Sequence, residues 1–219
     1  MACPRVLVLD LDGTLVDTVP DLNAALNRLM ASRGLAGFDF PGTAAMVGDG
    51  VARLVEKAFS AHGRVPDATA VADFSQDYAA HAAVDSRLFP GVMQTLHDLS
   101  GEGWRLAVCT NKPEGAARHL LDALGLAPLM AAVGGGDSFP TRKPDPAHLL
   151  ATLAAAGGKA ERAMMVGDHA NDVAAAMGAG LPCIFAAWGY GPPAMAAGAV
   201  AVARDVADMA AIAQRLLPA

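Results

Sequence analysis

The sequence predicts an α/β fold in which a parallel β-sheet, with helices on both faces, carries a helical insert after its first strand. Short apolar runs typical of buried strands alternate with amphipathic helical stretches, which favours a parallel sheet covered on both sides. One long interval contains helical patterns alone. A chain of 219 residues with 53% hydrophobic content is long enough for one full core and a small second domain.

Five apolar runs predict the strands of this sheet. In chain order they are "RVLVLD", "WRLAVCT", "LMAAVG", "RAMMVGD" and "LPCIFAAW". Most are separated by helical patterns that end at glycine, as expected of a helix C-terminus. The sheet is therefore predicted to contain strands linked by crossover helices.

The interval 18–87 predicts helices and no strand. Thr18 and Asp21 resemble a capping box at the start of its first helix, and Gly34 ends that helix. Further apolar stripes at helical spacing follow, one of them beginning at Val51. A helical insert after the first strand is expected to cover the ligand-binding edge of the sheet. We therefore assign residues 1–16 and 87–219 to a core domain and residues 17–86 to a cap domain.

Charge and cysteine content exclude several classes of protein. The net charge of −6, without a basic stripe, argues against a nucleic-acid partner. Cys3, Cys109 and Cys183 lack metal-ligand spacing, and the latter two are expected to be buried free thiols, which fits a reducing cytoplasm.

No segment of the sequence is typical of a signal peptide or a membrane span. The apolar stretch before Asp10 is too short for a signal peptide, and glycines and prolines divide the uncharged stretch 173–203 into pieces shorter than a bilayer span. A cytoplasmic protein without a nucleic-acid or membrane partner is predicted.

Asp10 and Asp12 lie at the end of the first predicted strand. Residues two apart in an extended segment point to the same side, so both carboxylates can face the crevice where open α/β sheets bind ligands. A solvated turn is the simplest alternative. A calcium loop is a weaker one, because its glycine and glutamate positions hold Leu15 and Asp21.

Polar residues follow three further strands at the same end of the sheet: Thr110 and Asn111, Lys143, and Asp168 with Asp172. Singly, each has an ordinary explanation, such as a strand-end hydroxyl, an exposed lysine or a carboxylate in the first turn of a helix. Together they form the set needed for metal-assisted phosphoryl transfer. Converging carboxylates repel one another unless a cation such as Mg²⁺ neutralises them, a carboxylate can act as nucleophile, and a lysine neutralises phosphoryl oxygens.

With these residues in this order, the sequence resembles the haloacid dehalogenase superfamily of phosphohydrolases. Its four motifs are "DLDGT", the threonine of "CTN", the lysine of "RKP" and "GDHAND". The resemblance implies a Rossmann-like core and Mg²⁺-dependent hydrolysis through an aspartyl-phosphate. A dehalogenase has no use for an aspartate two residues after its nucleophile, so Asp12 favours a phosphatase.

The resemblance also implies catalytic roles for four residues. Asp10 would attack phosphorus. Asp12 would protonate the leaving alkoxide and later deprotonate the hydrolytic water. Thr110 and Lys143 would hold the phosphoryl oxygens.

The same motifs imply a metal site and two further substrate contacts. The metal site comprises Asp10, Asp12 through its backbone carbonyl, and Asp168, with Asp172 orienting these ligands. His169, between the last two acids, is interpreted as a loop residue, because hard Mg²⁺ prefers oxygen. Gly13 and Asn111 are expected to contact substrate.

The cap segment "MVGDGVARLVEKAF", residues 46–59, is similar to that of the phosphoglycolate phosphatase group, as are "FPGV" and "TNKP". Gly48 and Gly50 precede a predicted helix and can present backbone N–H groups to an anion, with Arg53 as a charged partner. The alternative is a simple turn with a solvated arginine, and Asp49 argues against a purely cationic pocket. The expected substrate is a small phosphorylated metabolite, 2-phosphoglycolate.

Three other functions remain open. The first is a phosphatase for another substrate, such as a sugar phosphate. The second is a phosphomutase of the β-phosphoglucomutase kind, which returns the phosphoryl group to a sugar hydroxyl. The third is a catalytically silent relative that binds a protein partner, which the intact acids and lysine disfavour. Both a monomer and a homodimer are compatible with the sequence.

Overall fold

A computed structural model describes residues 4–218 of the chain. Its strands are β1 (Arg5–Leu9), β2 (Val16–Asp17), β3 (Arg87–Leu88), β4 (Trp104–Cys109), β5 (Met130–Gly134), β6 (Ala163–Gly167), β7 (Cys183–Ala186) and β8 (Ala201–Ala203). Its helices are α1 (Val19–Ser32), α2 (Phe40–Ala44), α3 (Val51–Ala61), α4 (Ala70–His81), α5 (Val92–Gly101), α6 (Glu114–Ala123), α7 (Pro146–Ala155), α8 (Ala170–Ala179) and α9 (Val206–Leu216).

Six parallel strands form the main sheet, in the order β5-β4-β1-β6-β7-β8. The chain runs outward from β1 through β4 to β5, and then continues on the other side of β1 with β6. This reversal places the carboxyl end of β1 at the switch point where open α/β sheets bind ligands. The predicted α/β fold and its five strands are confirmed, while β8 was not predicted because three residues carry too little pattern.

The sheet is covered on both faces. Leu7 and Leu9 of β1 pack with α5, α6 and α9, whereas Val6 and Val8 pack with α7 and α8. This double coverage explains why the strand is a continuous apolar run without alternation. The expected buried thiols, Cys109 and Cys183, are present, and Cys3 lies outside the described residues.

Helices α1 to α4 lie between β2 and β3, which pair as a short antiparallel ribbon. The chain therefore leaves the core and returns to it at adjacent points. Leu26, Phe59 and Phe74 belong to a hydrophobic cluster that these helices share and that is separate from the two clusters of the sheet. This separate cluster supports the proposal that the interval 17–86 is a cap domain.

The predicted capping box of α1 is wrong. The Thr18 side chain makes no capping hydrogen bond. Asp21 is buried and faces the segment that enters β3, where its carboxylate accepts hydrogen bonds from Asp85 N (2.9 Å), Ser86 N (2.9 Å) and Ser86 Oγ (2.6 Å). Asp21 therefore ties the start of the helical insert to its end.

Within residues 4–218, no helix is long and apolar enough to cross a membrane. The uncharged stretch 173–203 forms most of α8, then β7, an irregular loop and β8, as its glycines and prolines predicted. The cytoplasmic location stays a prediction.

We expect Asp21→Asn to lower the free energy of unfolding by about 1–3 kcal/mol, because charge-assisted hydrogen bonds to a buried carboxylate are lost. Burial raises the pKa of Asp21, but hydrogen bonds from Ser86 and Asp85 outweigh it and hold that pKa below its usual value. The contribution is thus present near neutral pH and is lost as the pH falls through the folded-state pKa. Urea unfolding measures this change in the free energy of unfolding.

Asp77→Asn is the matched control, because it removes a solvent-exposed pair with Arg28. It is expected to lower the free energy of unfolding by less than about 1 kcal/mol. Equal losses in the two variants would contradict the anchoring role of Asp21.

Candidate active site

Asp10 follows β1 directly and extends its pairing, because Asp10 N donates to Val166 O of β6 (2.9 Å). The Asp10 side chain is buried, whereas that of Asp12 is partly exposed. Both residues line the same cleft between the sheet edge and the helical insert. The alternative of a solvated turn is therefore excluded for Asp10.

A buried lysine links two of the predicted acids. Lys143 Nζ lies 2.8 Å from Asp10 Oδ1 and 2.6 Å from Asp172 Oδ1. Burial opposes the charged form of Lys143, but the two carboxylates outweigh burial and raise its pKa. Asp172 also accepts a hydrogen bond from His169 N (3.0 Å). Lys143 is therefore a fixed positive charge beside Asp10.

Three buried carboxylates converge here. One oxygen each of Asp10, Asp168 and Asp172 lies within 4.8 Å of the others. Burial, aided by the neighbouring carboxylates, raises the pKa of Asp168 to about 7. Burial raises the pKa of Asp10 to about 6, although Lys143 acts in the opposite direction. With Lys143 charged, the ionised cluster carries a net charge of −2, and hard carboxylate oxygens are the ligands that Mg²⁺ prefers. The donor set fits a divalent cation.

Asp168 is held in place from three sides. Its Oδ1 accepts from Thr14 Oγ1 (3.0 Å), and its Oδ2 accepts from Tyr190 N (2.7 Å). Gly13 lies against the same carboxylate, where a Cβ would be 2.3 Å from Asp168 Oδ2, and its φ of +83° favours glycine. Gly13 was expected to contact substrate, but the structure places it beneath Asp168.

Thr110 and Asn111 follow β4 and line the cleft. Thr110 Oγ1 accepts from Lys112 N (3.2 Å), so its O–H stays available to donate to a phosphoryl oxygen. The Asn111 amide nitrogen instead donates to Gly48 O (3.0 Å) and Lys143 O (2.9 Å). Both amide hydrogens are then engaged, and Asn111 positions the Lys143 loop and the cap turn in place of donating to substrate.

The cap turn around Gly48 faces the core. Gly48 and Gly50 both line the cleft, as expected. Asn171 Nδ2 of α8 donates to Asp49 Oδ1 (2.7 Å), and Lys57 Nζ lies 2.6 Å from Asp49 Oδ2. Asp49 is therefore neutralised within the interface between cap and core.

The structure does not place Arg53 in the cleft. Its side chain is 53% exposed and pairs with Glu56 one turn further along α3. The spacing from Gly50 put Arg53 in the first turn of α3, but that position turns away from the core. This placement does not support the predicted contact between Arg53 and a substrate anion.

Lys112 is the main residue that the sequence analysis missed. Its side chain is 4% exposed, and its Nζ lies 2.9 Å from Asp12 Oδ1 and 3.2 Å from Asp12 Oδ2. The Nζ also lies 4.6 Å from the ring centroid of Tyr78 in α4. The sequence did contain a signal for Lys112, because this residue follows Asn111 directly at the end of a buried strand.

His169 and Tyr190 border the other side of Asp12. His169 is the N-cap of α8, where its side chain accepts from Asn171 N and Asp172 closes a capping box, so it is no candidate metal ligand. Together with Asp168, these residues line a second recess, while Lys112 and Thr110 line the first. Asp12 lines both recesses.

Comparison with known proteins places this geometry in context. The model of the haloacid dehalogenase-like hydrolases matches residues 4–180. A phosphoglycolate phosphatase of Rhodospirillum rubrum is 43% identical over 94% of this chain and 89% of its own length. That of Caulobacter vibrioides is 44% identical over 84% of this chain and 79% of its own. The crystal structure of a predicted phosphoglycolate phosphatase from Haemophilus somnus, 29% identical, superposes with a TM-score of 0.87 and covers 98% of this chain and 100% of its own.

We expect Mg²⁺ to bind more weakly as the pH falls. Below about pH 7, a proton on Asp168 or Asp10 must leave before the ionised carboxylates can bind the cation. The dissociation constant should therefore rise by up to about tenfold per pH unit for each proton displaced between about pH 8 and pH 6. Calorimetric titration of metal-free protein in buffers of different ionisation enthalpy measures both the affinity and the proton release. An affinity that does not change over this range would contradict the proton competition, and Asp168→Asn should weaken binding at every pH.

Proposed function

The chain belongs to the haloacid dehalogenase-like hydrolases and is a phosphatase, and from this premise we propose that it hydrolyses 2-phosphoglycolate to glycolate and inorganic phosphate. The observation that carries the proposal is the convergence of Asp10, Asp12 and Thr110 on one cleft, with Lys143 paired to Asp10 behind it. A carboxylate nucleophile, a second carboxylate beside it and donors for phosphoryl oxygens are what hydrolysis through a covalent intermediate requires.

We assign the nucleophilic attack to Asp10. A carboxylate oxygen of Asp10 bonds to phosphorus as the bond from phosphorus to the ester oxygen breaks, which gives an aspartyl-phosphate and releases the alcohol. We assign Lys143 and Thr110 as the donors to the phosphoryl oxygens. Because Lys143 is fixed by Asp172 as well as by Asp10, its charge is already oriented before substrate arrives.

We assign proton transfer to Asp12. As an acid it gives a proton to the departing ester oxygen, and as a base it removes one from the water that then attacks the aspartyl-phosphate. Regenerated Asp10 and inorganic phosphate result, and Asp12 is again protonated for the next cycle. Hydrogen bonds from Lys112 hold the Asp12 side chain in the cleft.

Asp10, Asp168 and the backbone carbonyl of Asp12 are the proposed Mg²⁺ ligands, with Asp172 orienting them through its bonds to Lys143 and His169. When bound, Mg²⁺ supplies positive charge that neutralises the phosphoryl oxygens. The net charge of −2 in the buried cluster is the feature that supports a divalent ion.

The choice of substrate rests on the relatives. Two phosphoglycolate phosphatases share more than 40% of their residues with this chain over most of their length. A sugar-phosphate phosphatase and a phosphomutase use the same core groups and differ in what the cap accepts. The first recess has apolar walls from the cap at Leu22, Leu54 and Phe74, which favours a small leaving group over a polyhydroxylated sugar.

We expect the wild-type protein to release inorganic phosphate faster from 2-phosphoglycolate than from hexose phosphates. Asp10→Asn should abolish this release, by about 10³-fold or more, because an amide is a poor nucleophile of nearly the same volume. Unchanged thermal unfolding would show that the fold is intact. Acid quenching followed by peptide mass spectrometry should find phosphate on Asp10 in the wild type. Phosphate on another residue would overturn the assignment, and faster release from a hexose phosphate would overturn the substrate.

We expect Arg53→Ala to change kcat/KM for 2-phosphoglycolate by less than about twofold. The Arg53 side chain is half exposed and paired with Glu56 on the same helix, and such pairs contribute little. Steady-state kinetics with Glu56→Ala as the matched control would test this. A selective loss of more than about tenfold in Arg53→Ala would show that the guanidinium reaches the substrate during turnover.

A further inference from the structure

A buried cation faces the proposed leaving-group side of the cleft. Lys112 lies between Asp12 of the core and Tyr78 of cap helix α4. Among the residues that the structure describes, it is the only cationic side chain lining this cleft. The rest of the lining is acidic, polar or apolar. An anionic substituent on the leaving group therefore has one cation in the cleft to meet.

Two residues beside Lys112 carry unpartnered polar atoms. Within residues 4–218, the buried Tyr78 hydroxyl and Asn111 Oδ1 have no hydrogen-bond partner. Unsatisfied buried polar groups are costly, so they indicate a missing partner. Burial raises the pKa of Tyr78, so its hydroxyl stays protonated and can donate. The Lys112 ammonium has three N–H donors, of which the Asp12 carboxylate does not use all.

The proposed substrate has an anion at a matching position. In 2-phosphoglycolate one methylene group separates the carboxylate from the ester oxygen, so the carboxylate must lie close to the phosphoryl group. Thr110 and Lys112 are two residues apart at the end of β4, and both line the cleft. A phosphoryl group beside Thr110 thus leaves the carboxylate near Lys112. The apolar cap walls strengthen this attraction by excluding water.

We propose that Lys112 is the residue that recognises the carboxylate of the substrate, with the Tyr78 hydroxyl as a second donor. The inference rests on the proposed function, since it names the group that distinguishes phosphoglycolate from other small phosphomonoesters. Lys112 then contacts both Asp12 and the substrate. The carboxylate is then recognised by one core cation and one cap hydroxyl, which the packing of the cap on the core brings together.

Arg142 is the alternative candidate for the cation that binds the substrate carboxylate. Its guanidinium lies beside the cap turn, with Nη1 3.2 Å from where a Cβ of Gly50 would stand, but the side chain is exposed and does not line the cleft. Arg142→Met therefore removes a positive charge at the rim, and Lys112→Met removes one inside. The two variants form a matched pair.

The test compares kcat/KM for 2-phosphoglycolate and for ethyl phosphate, which lacks the carboxylate. In the wild type, 2-phosphoglycolate should be preferred by at least about tenfold. Lys112→Met should reduce this preference by about 10–100-fold, as expected when a hydrogen bond to a charged group is lost. Arg142→Met should leave the preference within about twofold of the wild type, and Lys112→Arg should retain most of it.

The outcomes separate the two hypotheses. A wild-type protein that does not prefer 2-phosphoglycolate would overturn the proposed function. A preserved preference in folded Lys112→Met, with equal losses on both substrates, would overturn only the present inference and leave Lys112 as a partner of Asp12. A selective loss in Arg142→Met alone would also overturn it.

Lys112→Met leaves the Asp12 carboxylate without its partner, which can prevent that variant from folding. A binding measurement on a second variant therefore tests the same inference. Asp12→Asn/Lys112→Met removes both charges of the pair at once and is compared with Asp12→Asn alone. Calorimetry with Mg²⁺ present should show that Asp12→Asn binds 2-phosphoglycolate at least about tenfold more tightly than ethyl phosphate. The double variant should bind the two ligands with similar affinity. An undiminished difference in the double variant would overturn the assignment of Lys112.

Discussion

The Lys143 ammonium, held between Asp10 and Asp172 in the interior, is the interaction on which the rest of the site depends. Removing three charges from water is costly, and only close, well-oriented partners offset that cost. These partners come from three separate segments that follow β1, β5 and β6, and parallel strands bring such segments together because their carboxyl ends share one edge. Backbone shape contributes as well, since a Cβ on Gly167 would lie 2.2 Å from Asp172 Oδ2. The charged cluster therefore depends on the backbone of the sheet as well as on the charged side chains.

Core and cap contribute different chemistry to the cleft. The core supplies the acids, the lysines and the Thr110 hydroxyl, which meet any phosphomonoester in the same way. The cap supplies apolar surface and a backbone turn, which exclude water and strengthen the electrostatic interactions beneath them. The bond from Asn111 to Gly48 and the contact of Lys112 with Tyr78 join the two parts directly at the cleft. The proposed recognition of the leaving group therefore depends on the position of the cap.

The sequence was sufficient for five of the six strands of the sheet and for most of the residues at its carboxyl edge, because strand periodicity and motif order both report on local backbone. Asp10 and Lys143 could be brought together on that basis. The structure departs from the sequence-based expectation where a side chain depends on distant partners. Asp21 suited a capping box by spacing, yet it bonds to Ser86, and Arg53 suited an anion site by its place in a helix, yet that face turns outward. The position of a residue in a predicted helix tells which helical turn it lies on. It does not tell which side of that helix packs against the core.

Tyr190 shows how closely the two parts are joined. Its backbone N–H holds Asp168, and its hydroxyl donates to Asp17 Oδ1 (2.7 Å) and accepts from Thr18 N (2.7 Å). Its ring packs against Phe89, just after β3, with centroids 6.4 Å apart. One core residue thus contacts both points where the chain crosses to the cap, and it satisfies an N–H at the start of α1 that Thr18 does not cap. Because the same residue holds an acid of the site, the crossing points of the chain and the carboxylate cluster share one anchor.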